Sequence, residues 1–244
     1  MSTFYEYYKS VLKNDVIDIF VIGNINEKKL NIFDKYIKNN QQIEDKESHF
    51  IELTPINDEL EIKETIDTNQ SKLAIGLTTN DLNDFELKYA LSIYSLILGG
   101  NPNSKLFQNV REKNSLCYYI NSSVSIIPKI ITIVAGINAK DYTKAIKLIK
   151  EELENMKNGK FTDKEIEEAK KIYISGCNET YDSPNSIINN YLSYEYGGLD
   201  LVEKRLKEIK KVTRQNVIDV ANKITLDKIF LLEGTLNNEK DQTK

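Results

Sequence analysis

The chain has one histidine, His49, and two cysteines, Cys117 and Cys177, so few side chains are available for metal or nucleophilic chemistry. A hydrolytic zinc site needs about three protein ligands converging on one point. His49 stands in a polar run, NNQQIEDKESH, with no second histidine to join it. No metal site, no catalytic residue and no cofactor are therefore expected in this chain. Two isolated thiols build neither a disulfide framework nor a C-x-x-C clamp, and neither has a histidine placed to activate it. They fit a reducing, cytoplasmic setting. Cys177 falls at helical spacing with Ile166, Ala169, Tyr173 and Gly176. That spacing reads as core filling, with a small residue for close helix approach. Gly99-Gly100-Asn101-Pro102 follows an apolar helix and reads as a C-cap, not a phosphate loop.

The chain's 244 residues carry 33 Lys and Arg against 37 Asp and Glu, a net charge of −4. There is no basic field to hold nucleic acid or anionic lipid, and no apolar run long enough to span a bilayer. The charged run Lys204 to Lys211, broken by Leu206 and Ile209, reads as a solvated helix face.

The elements that would position any site follow from periodicity and punctuation. A short helix to about Leu12 leads to a strand, Val16 to Gly23, and a helix from Asn26 to about Lys38. Residues 40–58 are polar and read as a linker. Strands at about Glu59 to Thr68 and Ser71 to Thr79 precede a buried helix, Asp84 to Leu98, and a second short helix, Ser104 to Lys113. Cys117 to Ile126 and Ile130 to Asn138 read as strands, the latter apolar enough to be central. Helices follow at Tyr142 to Lys157, from the capping box Thr162 to Glu165, from Ser183-Pro184 to the stop at Gly197-Gly198, and at about Leu201 to Lys210 and Thr213 to Ile224. A last strand, Lys228 to Gly234, precedes a polar tail, 237–244. Asp18-Ile-Phe-Val-Ile-Gly23 echoes Lys228-Ile-Phe-Leu-Leu-Glu-Gly234, each after a helix and a short polar turn. The echo suggests a duplicated protein entered late in its first repeat. On that reading 1–39 closes a preceding domain and 59–236 is a complete one.

The stretch SIYSLILGGNPNSKLFQNVREKNSLCYYINSS resembles the second-domain signature of peptidase family M16, the pitrilysin, insulinase and mitochondrial processing peptidase class. Its carriers are the helix ending in Leu98-Gly99-Gly100, the S-x-L-F of Ser104 to Phe107, and Arg111 followed seven residues later by Tyr118. The resemblance implies an α+β fold in which an antiparallel sheet is backed by helices, a LuxS/MPP-like metallohydrolase-type half facing a second half across a substrate chamber. In that family the other half carries H-x-x-E-H on a helix and holds the zinc. The equivalent helix here, Asp84 to Leu98, offers Glu86 and no histidine. The resemblance further implies that Arg111 and Tyr118 reach the bound peptide. A guanidinium can hold a substrate carbonyl, and a phenol can donate to a developing oxyanion. By composition alone, an Arg ending a helix is a solvated dipole partner and a Tyr in a strand is core. Strict alternation from Cys117 also puts Tyr119, not Tyr118, on the polar face with Asn121, Ser123 and Ser125. A bulge at the strand start would reconcile the two.

Three functions compete on these grounds. The first is a non-catalytic, substrate-positioning half of an M16-type zinc peptidase, partnered by a zinc-bearing M16 domain or subunit and a peptide substrate. The second is a catalytically dead scaffold subunit of the same fold. The third is an unrelated α+β ligand-binding domain with an accidental Arg–Tyr spacing. Neither nucleic acid nor membrane is an expected partner.

Overall fold

In a computed structural model, residues 2–15, 18–26, 28–31, 60–79 and 81–235 are described. They form two compact units, one combining residues within Met1–His49 with Glu179–Leu199, the other residues within Phe50–Asn178 with Asp200–Lys244. His49, the expected linker and the tail lie outside the described residues.

The smaller unit holds α1 (Ser2–Asn14), a stretch without regular secondary structure over 18–22 and a short helical piece over 28–31. Sequence analysis reads 16–23 as a strand, yet the described residues 18–22 are not part of the five-stranded sheet. Period-two patterning identifies a segment able to enter a sheet, but the ladder requires a partner.

In the larger unit, β1 (Glu61–Ile66) and β2 (Ser71–Thr79) lead to α2, over 84–98, and α3, over 105–112. Then come β3 (Cys117–Ser125), β4 (Ile130–Ile137), α4 (Tyr142–Lys157) and α5 (Asp163–Glu179). The next helix, α6 (Pro184–Glu195), belongs to the smaller unit. The larger unit closes with α7 (Val202–Glu208), α8 (Arg214–Asn222) and β5 (Ile224–Gly234). The capping box of α5 is formed as expected: Thr162 N–H donates to Glu165 Oε2 at 2.7 Å, and Glu165 N–H donates to Thr162 Oγ1 at 3.2 Å.

The five strands lie in the order β1-β5-β2-β4-β3. The fold is α+β, a sheet backed by helices, with one refinement: β1 and β5 run parallel, while the other pairs are antiparallel. The central strand is β2. The apolar β4 is interior and paired on both sides, which is what its sequence demands.

Register explains the division of faces. Ser122, Ile133, Ile75 and Ile229 form one row, and Ile120, Ala135, Leu73 and Leu231 the next. All eight are buried, and the apolar ones share a core with Leu91, Ile93, Leu98 and Ile149 of the helices. The opposite face carries Asn121, Val134, Ala74 and Phe230 in one row, and Ser123, Thr132, Gly76 and Lys228 in another. Every residue of those two rows is at least partly exposed. One sheet face is thus sealed by helices and the other is open.

Two polar clusters fix the helices. Glu86, buried in the first turn of α2, accepts the Asn83 N–H at 2.8 Å, and the Lys223 ammonium lies 2.9 and 2.7 Å from its two oxygens. Asp200, also buried, accepts the Tyr89 hydroxyl, and Lys204 donates to it at 2.7 Å. Burial pushes the Asp200 carboxyl up, but the bonds from Lys204 and Tyr89 outweigh it and hold the group below the ordinary aspartate range. A carboxyl with a lowered native pKa adds stability above its unfolded value, and that stability is lost as pH falls through the native one. Asp200→Asn is therefore expected to cost about 1–2 kcal/mol at pH 7, chiefly through the buried Tyr89 bond. The difference from the parent narrows below pH 4, and denaturant unfolding at both pH values measures it.

Candidate functional site

The site expected from sequence lies where α3 turns into β3. Leu106 is fully buried and anchors α3, whose last turn, Phe107–Glu112, widens to a π-helical repeat. Phe107 lies four residues before Arg111, and the Arg111 guanidinium sits 4.5 Å from the Phe107 ring centroid. The apolar part of the S-x-L-F motif thus has a visible task, since an aromatic face steadies a guanidinium without neutralising it. Arg111 Nε is 3.7 Å from Glu112 Oε1, and the side chain is partly exposed. After α3 the chain reverses through Ser115, which has a left-handed φ of 52°. The turn is held by Ser115 N–H to the Arg111 carbonyl at 2.8 Å and Leu116 N–H to the Val110 carbonyl at 3.1 Å.

The strand then begins with a bulge. Cys117 pairs with Ile137 and Tyr119 with the adjacent Gly136, leaving Tyr118 as the inserted residue. The extra residue shifts the phase of the strand, so that both Tyr118 and Tyr119 are exposed while Cys117 and Ile120 are buried. Alternation and the seven-residue interval thus each identify a solvent-facing residue.

The two rings are held differently. Tyr118 hydroxyl donates to Asn138 Oδ1 at 3.1 Å, and the Asn138 amide is oriented by donating to Asp141 Oδ2 at 3.2 Å. The Tyr119 ring lies across Gly136, where a Cβ would come within 2.5 Å of Tyr119 Cε1 and 2.7 Å of Gln70 Nε2. Gly136 therefore provides a seat for one ring, whereas a single hydrogen bond tethers the other.

The remaining chemistry-bearing groups are inert or structural. Burial pushes the Cys117 thiol up to about 11 against the opposing charge of Arg111, and burial also raises Cys177. Thiols held protonated in this way make poor nucleophiles. Gly176 has open space around it, so it provides no close helix contact; it borders a pocket instead. Glu86 is committed to Asn83 and Lys223. Among the described residues no group of three His, Cys, Asp or Glu side chains is placed to hold a metal. The described residues do not fit a zinc site.

Gly99 does more than end α2. Its φ of −155° is not left-handed, and an added Cβ would lie 2.8 Å from Ser122 N. The glycine lets the helix end touch β3, where Ser122 N–H donates to the Gly99 carbonyl at 3.2 Å and Ser122 Oγ donates to the Ser95 carbonyl at 2.8 Å. Beside this junction lies a pocket of about 370 Å³ bordered by Ser92, Ser95, Ser123, Tyr173, Cys177 and Arg205. Sequence reasoning passed over it. The available signal was the pair of serines interrupting the otherwise apolar LSIYSLIL.

The profile of the family described as the peptidase M16 inactive domain matches residues 2–173. The chain belongs to the M16 inactive-domain family. Among curated relatives of this M16 chain, the probable inactive metalloprotease YmfF of Bacillus subtilis is 30% identical over 95% of the chain and 54% of its own length. The uncharacterized zinc protease YmxG of the same organism is 26% identical over 65% of the chain and 39% of its own length. The chain thus spans about half, or less, of these relatives. The crystal structure of a conserved protein from Enterococcus faecalis superposes with a TM-score of 0.83 at 32% identity, covering 94% of this chain and 55% of that one. An M16 inactive domain from Pseudomonas fluorescens, at TM-score 0.57 and 20% identity, covering 72% of this chain and 44% of that one, shares the fold. Among the described residues no helix of the M16 chain is long and apolar enough to cross a membrane.

Proposed function

We propose that the chain is the substrate-positioning, non-catalytic half of an M16-type zinc peptidase. It works with an H-x-x-E-H domain or subunit that holds the zinc, and the substrate is a peptide. The observation that carries this reading is the bulged start of β3, which turns Tyr118 out to solvent one short turn after an Arg111 that is stacked on Phe107 but not buried. Both groups can meet an extended peptide: Arg111 by donating to a carbonyl, Tyr118 by donating to an oxygen that gains charge as the carbonyl is attacked. Two unpaired, buried thiols suit a reducing cytoplasm.

The scaffold reading has one specific observation in its favour, the name "probable inactive metalloprotease" borne by the 30% identical relative. The test separates them. With the chain joined to a zinc-bearing half, Arg111→Ala is expected to lower kcat/KM for an unfolded peptide by about 10- to 100-fold, the range for a lost hydrogen bond to a charged group. The chain's melting temperature is expected to move by no more than about 2 °C, because a partly exposed ion pair contributes little to folding. Unchanged turnover would favour the scaffold. A loss of several kcal/mol of stability would make Arg111 structural.

A further inference from the structure

The pocket of about 370 Å³ beside the Gly99–Ser122 contact lies within the larger unit, bordered by the end of α2, the edge strand β3, α5 and α7. Its volume falls in the range that takes a small ligand. Two of its polar residues are already satisfied. Ser95 and Ser122, both buried, hydrogen-bond each other through their hydroxyls at 3.0 Å, and Ser122 Oγ also lies 2.8 Å from the Ser95 carbonyl. Ser92 and Ser123, which are less buried, bring two more hydroxyls to the border. Leu96, Val124 and Ile172 supply apolar surface.

The helices α5 and α7 add a relay of polar groups. Arg205 donates to the Tyr173 hydroxyl, which donates to the Cys177 thiol. Burial pushes the Tyr173 phenol up to about 12 and raises the Cys177 thiol as well, so both stay neutral near pH 7. Among the described residues that border the pocket none is acidic, and Arg205 carries the charge. Asp200, just ahead of α7, is engaged by Tyr89 and Lys204, and Glu208, at the end of α7, by Lys211. A guanidinium presents its N–H donors in a planar fork that matches a carboxylate. Gly176 keeps this border open. A glycine inside a helix weakens it relative to alanine, and no packing requires this one, since a Cβ there would meet nothing within 4 Å.

We infer that this pocket binds a terminal carboxylate joined to an apolar side chain, as found on a free acyl amino acid or at the end of a short peptide. Arg205 pairs with the carboxylate, Ser92 and Ser123 with the adjoining amide, and Leu96, Val124 and Ile172 with the side chain. The binding needs no zinc-bearing half.

Calorimetric titration of the full chain with N-acetyl-leucine tests this, and saturable one-to-one binding with a Kd of about 1 mM or tighter is expected for so small a ligand. N-acetyl-leucinamide, which lacks the charge, is expected to bind at least about tenfold more weakly. Gly176→Leu fills the opening while improving the local helix propensity. It is expected to weaken binding by at least about tenfold, the loss of a charged hydrogen bond, with a melting temperature that stays level or rises. Arg205→Met, which keeps much of the stem, is expected to lose binding to the same extent. Should that variant fail to fold, because Arg205 also holds Tyr173, the amide and Gly176→Leu still decide. A tripeptide ending in leucine that binds more tightly than N-acetyl-leucine assigns the carboxylate to a peptide end, and equal binding assigns it to a free acid. Failure to saturate, equal binding of acid and amide, or binding that survives Gly176→Leu would each overturn the inference.

Discussion

In the proposed peptidase, with the chain joined to a zinc-bearing half, Tyr118→Phe is expected to lower turnover by about 10² to 10³, equivalent to the roughly 2.7–4 kcal/mol lost with one oxyanion donor. Tyr119→Phe is expected to change it less than about threefold. The ring, its exposure and the bulge are unaffected by either change, so only the hydroxyl is tested. In the free chain the Tyr118 hydroxyl spends its proton on Asn138, whose amide is fixed by Asp141. One exposed hydrogen bond contributes about 1 kcal/mol, so the phenol is held outward by a bond weak enough to be exchanged, as the proposed role requires. The Tyr119 ring is instead seated on Gly136, and its contribution lies in the ring. Removing its hydroxyl leaves that packing in place. A larger effect from Tyr119→Phe would show that the polar face of the strand, not the inserted residue, meets the peptide. Steady-state kinetics with melting curves for each variant decides between them.

Lys223→Met is expected to destabilise the larger unit by about 2–4 kcal/mol. The Glu86 carboxylate is buried, and Lys223 supplies both of its charged contacts, at 2.7 and 2.9 Å. Removing one member of a buried pair leaves an uncompensated charge, which costs about 3–5 kcal/mol in fully enclosed cases. The partial exposure of Lys223 and the remaining bond from Asn83 N–H reduce that figure. The melting temperature is expected to fall by about 4–12 °C. The double variant Glu86→Gln, Lys223→Met is expected to recover at least half of the loss, because the neutral amide no longer needs a cation. Failure of that recovery would locate the cost in the lost contact between Lys223 and the Asp81 carbonyl, 3.2 Å away.

Much of this was legible before the fold was known, and the exceptions have physical causes. Helices with their own caps were placed well: Thr162 and Glu165 define the start of α5 within four residues of sequence. The alternating residues of β2 were also clear, since Leu73, Ile75 and Leu77 differ from their neighbours in kind. The parallel β1–β5 pair was not legible, because register between segments some 160 residues apart is set by partners and not by either strand's own pattern. A separation of 137 residues likewise hides Glu86 from Lys223. The β3 bulge sits between these cases. Two tyrosines competing for one face made the insertion visible as a conflict, and the pairing with β4 settled its location. Gly99 caps α2 as its place in the sequence implies, but its contact with Ser122 was not legible, because a glycine needed for a helix end and one needed for missing volume look alike in sequence.

The contact between Gly99 and Ser122 also bears on what the rim of the sheet can recruit. β3 is the last strand at one side of the sheet, and its outer backbone groups could recruit another chain. The Ser122 amide is already engaged by the Gly99 carbonyl, so the helix end stands as a stopper midway along that rim. At the opposite rim β1 relies on charge, with Glu61, Lys63 and Glu64 on an exposed strand. The two rims are thus guarded by unlike means, one steric and independent of salt, the other electrostatic and weakened by it. Any fibrillar growth at high ionic strength would then begin from the β1 side.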